Sequence, residues 1–328
     1  MVDEVLAGLA ELRSRDAAPL SQGLHPDNAR ACLHHAIDAI TAQGLHTASA
    51  EPGVRPGAVT LVAAAGVFTS PIEWVALLAA NGCRVRIKAP SSAPSLCMAL
   101  AECLASQGLP VSADTDRALG QPEAIVAFGG DASMAAIQAA TPQARHSLYG
   151  HRFSIAVVTG DPEAAAAAVA SDAALYDGRG CMAPTAVFTT GEVHTLAQAL
   201  AKAMAQAQAR WPRGEVDAQL GPEWRRRTGL ARVLGQCLED SDWAVPVLPA
   251  SHFHPVALPR MLPVHAISGL SELNEIMGPW AHQLSTCGTD DAQAAPAGTL
   301  RVSPLGQMQT PAFPRLHDGR SMLGAILG

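Results

Sequence analysis

The sequence predicts an α/β protein: a doubly wound parallel sheet joined to a second, smaller α/β domain. Three observations carry that expectation. Strand-like apolar runs alternate with helical runs from about residue 58 to 178, the order and spacing of right-handed βαβ crossovers. Hydrophobic residues make up 48% of the chain while aromatics make up only 4%, so alanine supplies much of the apolar surface and helices can layer closely on a sheet. With 328 residues there is enough chain for two domains and a substantial core.

Residues 1–57 read as a helical segment, with periodic apolar positions at Val5, Leu9 and Leu12 and again from Ala29 to Ile40, closed by the turns around Pro52-Gly53 and Pro56-Gly57. Residues 58–178 read as a dinucleotide-binding domain. Its strands are Val59–Ala65, Cys83–Lys88, Ala124–Phe128 and Phe153–Val158, runs suited to burial on both faces. Ser70-Pro71-Ile72-Glu73 predicts a capping box opening a helix to Ala80, which Asn81-Gly82 ends. Further helices are expected from Ser92 to about Gly108, after Gly129-Gly130-Asp131 to Ala140, and from Pro162 to Ala174. Residues 179–300 read as the catalytic domain, with helices at 192–210, 221–239 and 270–277 and short strands at 243–248 and 263–267. A strand at 299–302 then leads into an irregular tail, 301–328.

A net charge of −7 argues against a nucleic-acid protein, which would carry a basic stripe. Arg84, Arg86 and Lys88 alternate along one strand, and Arg225-Arg226-Arg227 reads as a solvated helix face. The acidic, amphipathic start is unlike a secretory signal, and no apolar stretch reaches the ~18–20 residues of a membrane span. Seven cysteines without a CxxC pair read as reduced thiols of a cytoplasmic protein. No metal site is expected. His34-His35 and His252-x-His254 lack the three or four converging ligands that one needs.

Ligands on a doubly wound sheet bind at the carboxyl ends of its strands, so the turns Gly66–Ser70, Lys88–Ser92 and Gly129–Ser133 are the candidate sites. Gly129-Gly130 is not a GxGxxG fingerprint, and none occurs. Two glycines there still let backbone approach a pyrophosphate, with Ser133 in the same turn. The bland alternative, a tight turn with Asp131 as the helix cap, stays open. Cys181 sits in Gly178-Arg179-Gly180-Cys181-Met182-Ala183-Pro184, between glycine-bearing turns that leave room for a bulky electrophile. It reads either as a nucleophile for covalent acyl chemistry or as a core cysteine. Lys88 reads either as a crevice cation or as an exposed strand end.

Arg86-Ile87-Lys88-Ala89-Pro90-Ser91, Phe128-Gly129-Gly130-Asp131, Tyr149-Gly150-His151-Arg152-Phe153-Ser154, Gly180-Cys181-Met182-Ala183-Pro184 and His317-Asp318-Gly319-Arg320 occur in an order that resembles the LuxC-like acyl-CoA reductases, within the aldehyde dehydrogenase superfamily. The resemblance covers about residues 58–190 and the tail. It implies an aldehyde dehydrogenase-like fold and NADPH-dependent reduction of a fatty acyl thioester to an aldehyde, with NADH not excluded. Cys181 would be the nucleophile, with its own backbone N–H as an oxyanion donor and Arg179 lowering its pKa. Lys88, with Ser91, would reach the adenosine ribose or its 2′-phosphate, and Gly129, Gly130 and Ser133 would meet the pyrophosphate. His317, paired with Asp318, would donate to the departing thiolate or anchor the C-terminus.

The strand at 152–158 lacks the glutamate by which hydrolytic relatives activate water, which favours reduction over oxidation. The partners implied are acyl-CoA or an acyl-carrier thioester, with an acyl-transferring protein and a homo-oligomer as further expectations. Two departures matter: the chain is short, and Val67 follows Gly66 where the superfamily has an oxyanion-holding asparagine. They motivate an alternative, a relative without reductase activity that holds or transfers acyl groups or serves as an interaction subunit.

Overall fold

The computed structural model describes residues 1–21 and 23–328. The chain divides into two compact units, one made of Met1–Gln22, Ala29–His151 and Thr310–Gly328, the other of Gly23–Asn28 and Arg152–Gln309. The division therefore falls at 151/152 rather than at the expected 178/179, and most of the tail belongs with the first unit.

In the first unit three helices, α1 (Val2–Arg13), α2 (Pro26–Asp38, whose first turn lies in the other unit) and α3 (Ala42–Ser49), precede a βα series. That series is β1 (Ala58–Val62), α4 (Ser70–Ala80), β2 (Arg84–Lys88), α5 (Ser95–Ser106), β3 (Val111–Asp114), β4 (Ala124–Phe128), α6 (Asp131–Ala140) and β5 (Arg145–Tyr149). The sheet order is β3-β2-β1-β4-β5, and each pairing is parallel. The chain winds outward from β1 to β3 and then crosses to β4 on the other side of β1. The switch point that favours ligand binding thus lies between β1 and β4.

The predicted capping box does not form. Glu73 is turned away from the start of α4 and pairs with Arg315 and His317. Nine of the eleven α4 residues are buried, so this helix is covered almost all round and its carboxylate needs a partner brought to it.

The second unit contains β6 (Phe153–Val158), α7 (Pro162–Ala174), β7 (Pro184–Thr189), α8 (Val193–Arg210), α9 (Gly221–Leu234), β8 (Gln236–Glu239), β9 (Ala244–Val247), β10 (Val264–Ala266), α10 (Leu270–Met277), β11 (Leu284–Thr289) and β12 (Arg301–Pro304). Its sheet runs β12-β11-β6-β7-β10-β9-β8, parallel except for the β8–β9 pair. β6 is thus not a fourth strand of the first sheet, as expected, but an inner strand of the second. An all-apolar run reports burial on both faces and is silent about which neighbours cover it. The helix expected to reach residue 239 stops at Leu234, and the chain turns at Gly235 into β8. Phe153, Ile155, Val157, Phe188, Leu273 and Leu284 form the core on one face of this sheet. The tail hairpin of β13 (Leu316–His317) and β14 (Arg320–Ser321) returns to the first unit.

Candidate active site

On the first unit, the predicted cofactor residues gather along the carboxyl edge of the parallel sheet. Lys88 ends β2, and Ser91 is exposed in the turn that follows it. Gly129 and Gly130 follow β4, and Ser133 is exposed in the first turn of α6. Lys88 is only 9% exposed, and its Nζ donates to the carbonyl of Ala118 at 3.3 Å. Burial and the neighbouring Arg86 both lower its pKa. Arg86 is itself held by Asp114, donating from Nε at 2.7 Å and from its terminal nitrogen at 3.0 Å. Lys88 thus stands at the end of β2 beside an arginine two of whose donors are committed to Asp114.

The glycine turns are open. A Cβ added to Gly66 or Gly130 would meet nothing within 4 Å, whereas one on Gly129 would press on Met134 at 3.3 Å. Gly130 is the N-cap of α6, so no side chain caps that helix. Asp131 opens the helix, and its carboxylate lies where a Cβ on Gly150 would be, at the end of β5.

His317 is 8% exposed, and its ring packs on Tyr149 (centroids 4.3 Å apart), Phe128 (5.5 Å) and Trp74 (5.8 Å). Its Nδ1 lies 3.0 Å from the Arg315 guanidinium, which donates to it, and 3.5 Å from Glu73 Oε1. Burial works against ionisation of Glu73, but Arg315 and His317 outweigh it and hold the carboxyl down at about 2. Arg320 covers the Tyr149 ring at 4.7 Å.

On the second unit, Cys181 is half-buried in the turn between α7 and β7. Of the remaining cysteines only Cys237 is comparably exposed; the other five are buried. Burial raises the thiols of Cys83, Cys103 and Cys237 to about 11 and those of Cys97 and Cys287 to about 12. Such thiols carry almost no thiolate at neutral pH.

The Cys181 carbonyl accepts from the Ser154 hydroxyl at the start of β6, and Ser154 Oγ accepts in turn from the Thr286 N–H on β11 at 3.0 Å. Arg179, expected to lower the thiol pKa, donates to the carbonyl of Glu215 and lies 3.9 Å from Asp177. Neither β6 nor β5 carries a carboxylate.

Sequence reasoning missed what precedes the cysteine. Tyr176, Asp177 and Gly178 are all left-handed, with φ of 55°, 54° and 70°. The Asp177 carboxylate is fully buried against Arg260, 2.8 Å away, and accepts from the Gly214 N–H at 3.0 Å and the Asn28 amide at 3.2 Å. Arg260 lies 83 residues downstream. The one local sign was an acid placed between glycine-prone turn residues.

No curated protein matches the sequence significantly. Solved structures share the fold at low identity. Aldehyde dehydrogenase 21 from Physcomitrella patens, in complex with succinate, is 12% identical with a TM-score of 0.77, the match covering all of this chain and 83% of that one. An NAD-dependent benzaldehyde dehydrogenase from Corynebacterium glutamicum is 17% identical (TM-score 0.70; 95% and 83% covered), and an oxidoreductase from Marinobacter aquaeolei 16% (0.70; 92% and 76%). The family model that matches, acyl-CoA reductase (LuxC), spans residues 113–327, taking in the glycine turn after β4, Cys181 and His317 and leaving Lys88 and Ser91 outside. With about two thirds of its length matched, the chain belongs to the LuxC acyl-CoA reductases, oxidoreductases of the aldehyde dehydrogenase fold.

Proposed function

We propose that the protein reduces a fatty acyl thioester, of coenzyme A or of an acyl carrier, to the aldehyde, using NADPH and a thioacyl intermediate on Cys181. The observation that carries this reading is the half-exposed Cys181, held by its own carbonyl to β6, in a chain whose other thiols are buried or pushed up in pKa.

The first unit fits a nicotinamide dinucleotide. Its switch point is flanked by Gly66 and Gly130, beside which a Cβ would find open space. Lys88 has one bond to the described residues, to Ala118, so two of its three ammonium hydrogens remain to meet phosphate or ribose oxygens. The helix after Gly130 carries no side-chain cap, and its first N–H groups suit a pyrophosphate. The neighbour from Corynebacterium glutamicum is NAD-dependent, which supports a nicotinamide cofactor here. A lysine rather than an acid at the end of β2 favours the 2′-phosphate of NADPH.

Cys181 Sγ, as thiolate, attacks the thioester carbonyl carbon. A carbon–sulfur bond to the enzyme forms, the bond to the donor sulfur breaks, and the donor thiolate leaves and takes a proton from solvent. When bound, NADPH would supply the hydride that reduces the acyl carbon. The tetrahedral oxyanion so formed collapses: the carbon–sulfur bond breaks, the aldehyde departs and the Cys181 thiolate is restored. Water does not compete well for the thioester, because β6 offers no carboxylate base and Asp177 is committed to Arg260.

The test is incubation of the protein with NADPH and a long-chain acyl-CoA, following nicotinamide absorbance and the mass of the Cys181 peptide. Loss of absorbance with aldehyde release, abolished in Cys181→Ser, is the expected result. Acylated Cys181 with NADPH untouched would replace this reading with an acyl-holding role. No adduct and no oxidation would overturn both.

A further inference from the structure

One strongly built feature of the second unit has no part in the chemistry proposed for Cys181: the buried ion pair between Asp177 and Arg260. Both side chains have no exposure to solvent, and the guanidinium approaches Asp177 Oδ1 from Nε at 2.9 Å and from a terminal nitrogen at 2.8 Å. Arg260 also donates to Gln208 Oε1 at 2.6 Å and to the Ala174 carbonyl at 3.3 Å. Asn28 donates to that same carbonyl at 2.9 Å, and its Oδ1 accepts from the Tyr176 N–H at 3.3 Å. Apart from the bond to Gln208, which steadies the guanidinium, these bonds fall on residues 174–177, the last residue of α7 and the backbone just after it.

Left-handed backbone is costly for residues with a Cβ, and two consecutive ones, Tyr176 and Asp177, persist only where their surroundings over-determine them. Here the surroundings are the carboxylate and what it binds. Four residues further on, the chain is pinned again where the Cys181 carbonyl meets Ser154. Between the pins lie Gly178 and Gly180, both with φ on the positive side, at 70° and 142°. A segment this short, fixed at both ends, gives the sulfur a defined place. Released at the first pin, its glycines would let it wander.

We propose that Asp177 and Arg260 are positioning residues for the Cys181 nucleophile: the pair locks the left-handed turn at 176–178 and so sets where Sγ meets the thioester carbonyl. The inference rests on the proposed role of Cys181. It predicts that backbone conformation, not the charge, is what the reaction needs.

Two double variants separate those causes. Asp177→Gly with Arg260→Met removes both charges and keeps a residue at home in left-handed backbone. Asp177→Leu with Arg260→Met removes both charges and disfavours that backbone. Each is compared with the native protein for the rate of Cys181 acylation by acyl-CoA, read by peptide mass, for alkylation by iodoacetamide, and for kcat and KM.

The glycine variant tolerates the left-handed backbone but has lost the lock, so its acylation is expected to fall on the order of tenfold, short of the loss in the leucine variant. The leucine variant should lose on the order of 100-fold in acylation and kcat, with KM and alkylation changed only a few-fold. Equal acylation in native and leucine variant would overturn the proposal, as would equal losses in both variants. If the leucine variant does not fold, Arg260→Lys, which keeps the charge and gives up the fork of contacts, carries the same comparison: a fall in acylation is expected, and none refutes it. A native protein that is never acylated would instead remove the reading of Cys181 itself.

Discussion

Glu73 is a carboxylate whose role is decided 242 residues away, where Arg315 donates to it from Nε at 3.1 Å. Its folded pKa of about 2 lies below the ordinary 4.5, so the unfolded chain binds the proton first as pH falls. The stabilisation is therefore present in full above about pH 4.5 and is lost as pH drops towards 2. Glu73→Gln, which strands a largely buried guanidinium, is expected to cost on the order of 3 kcal/mol at neutral pH. Urea titrations at descending pH should show the gap to the native protein closing below about 4.5. Lys88 gives a second residue-scale expectation, on function. If its ammonium meets the 2′-phosphate, Lys88→Met should raise KM for NADPH by about tenfold and leave KM for NADH nearly unchanged. Steady-state kinetics with both nucleotides would check this, and equal effects on the two would move Lys88 away from the phosphate.

At the scale of elements, the βα turns invite a separation of folding from binding. Gly130 has an extended backbone with φ of −74°, and a Cβ there meets nothing within 4 Å. Gly130→Ala should then leave the melting temperature almost untouched while weakening nucleotide binding several-fold, because the methyl projects where a pyrophosphate would lie close to backbone. A melting curve and a fluorescence titration with NADPH decide it; unchanged affinity would place the pyrophosphate elsewhere.

The turns were legible because strand, turn residue and helix follow one another locally, with glycine after β1 and β4 and proline and serine after β2. β3 and β5 were not. β3 has four residues, and β5 reads Arg-His-Ser-Leu-Tyr, since an edge strand with one solvated flank need not be apolar. β6 was seen as a strand but given to the wrong sheet, because nothing within six residues encodes their partners. The capping box at Ser70 failed for the same reason as the Asp177 device was missed. In each case a carboxylate with a plausible local use is claimed by an arginine distant in sequence, and burial of the carboxylate, invisible in one dimension, makes the distant partner win. Cys181 itself was legible as an accessible thiol, but the turn that holds it was not.

Across the whole molecule, the chain enters the second unit at Gly23, leaves it after Asn28, re-enters at Arg152 and leaves after Gln309. Trp74 falls in the first unit, and Trp211, Trp224, Trp243 and Trp280 in the second, so each unit has its own fluorescence. Two buried groups of the second unit titrate in opposite senses. Burial pushes His265 down to about 4 from 6.5, despite the carbonyls of Leu248 and Pro249 at its Nδ1. As pH falls below 6.5 the unfolded chain takes up that proton first, and stability is lost until about 4. Burial pushes Asp172 up to about 6 from 3.8, outweighing the N–H groups of Gly306 at 2.7 Å and Met308 at 3.0 Å. Here the folded chain takes up the proton first, and stability is gained as pH falls from about 6 to 3.8. The windows overlap and the effects oppose, so the second unit should be nearly indifferent to pH between about 6.5 and 4.5. Glu223, held down at about 2 by Arg226 and Arg227, acts only below that range. Asp172→Asn removes the gain and leaves the loss. With Trp74→Phe in place, so that fluorescence reports the second unit alone, this variant should lose roughly 2 kcal/mol between pH 6.5 and 4.5, whereas the parent urea midpoint stays level. A level midpoint in the Asp172→Asn protein would show that His265 does not titrate as its burial requires.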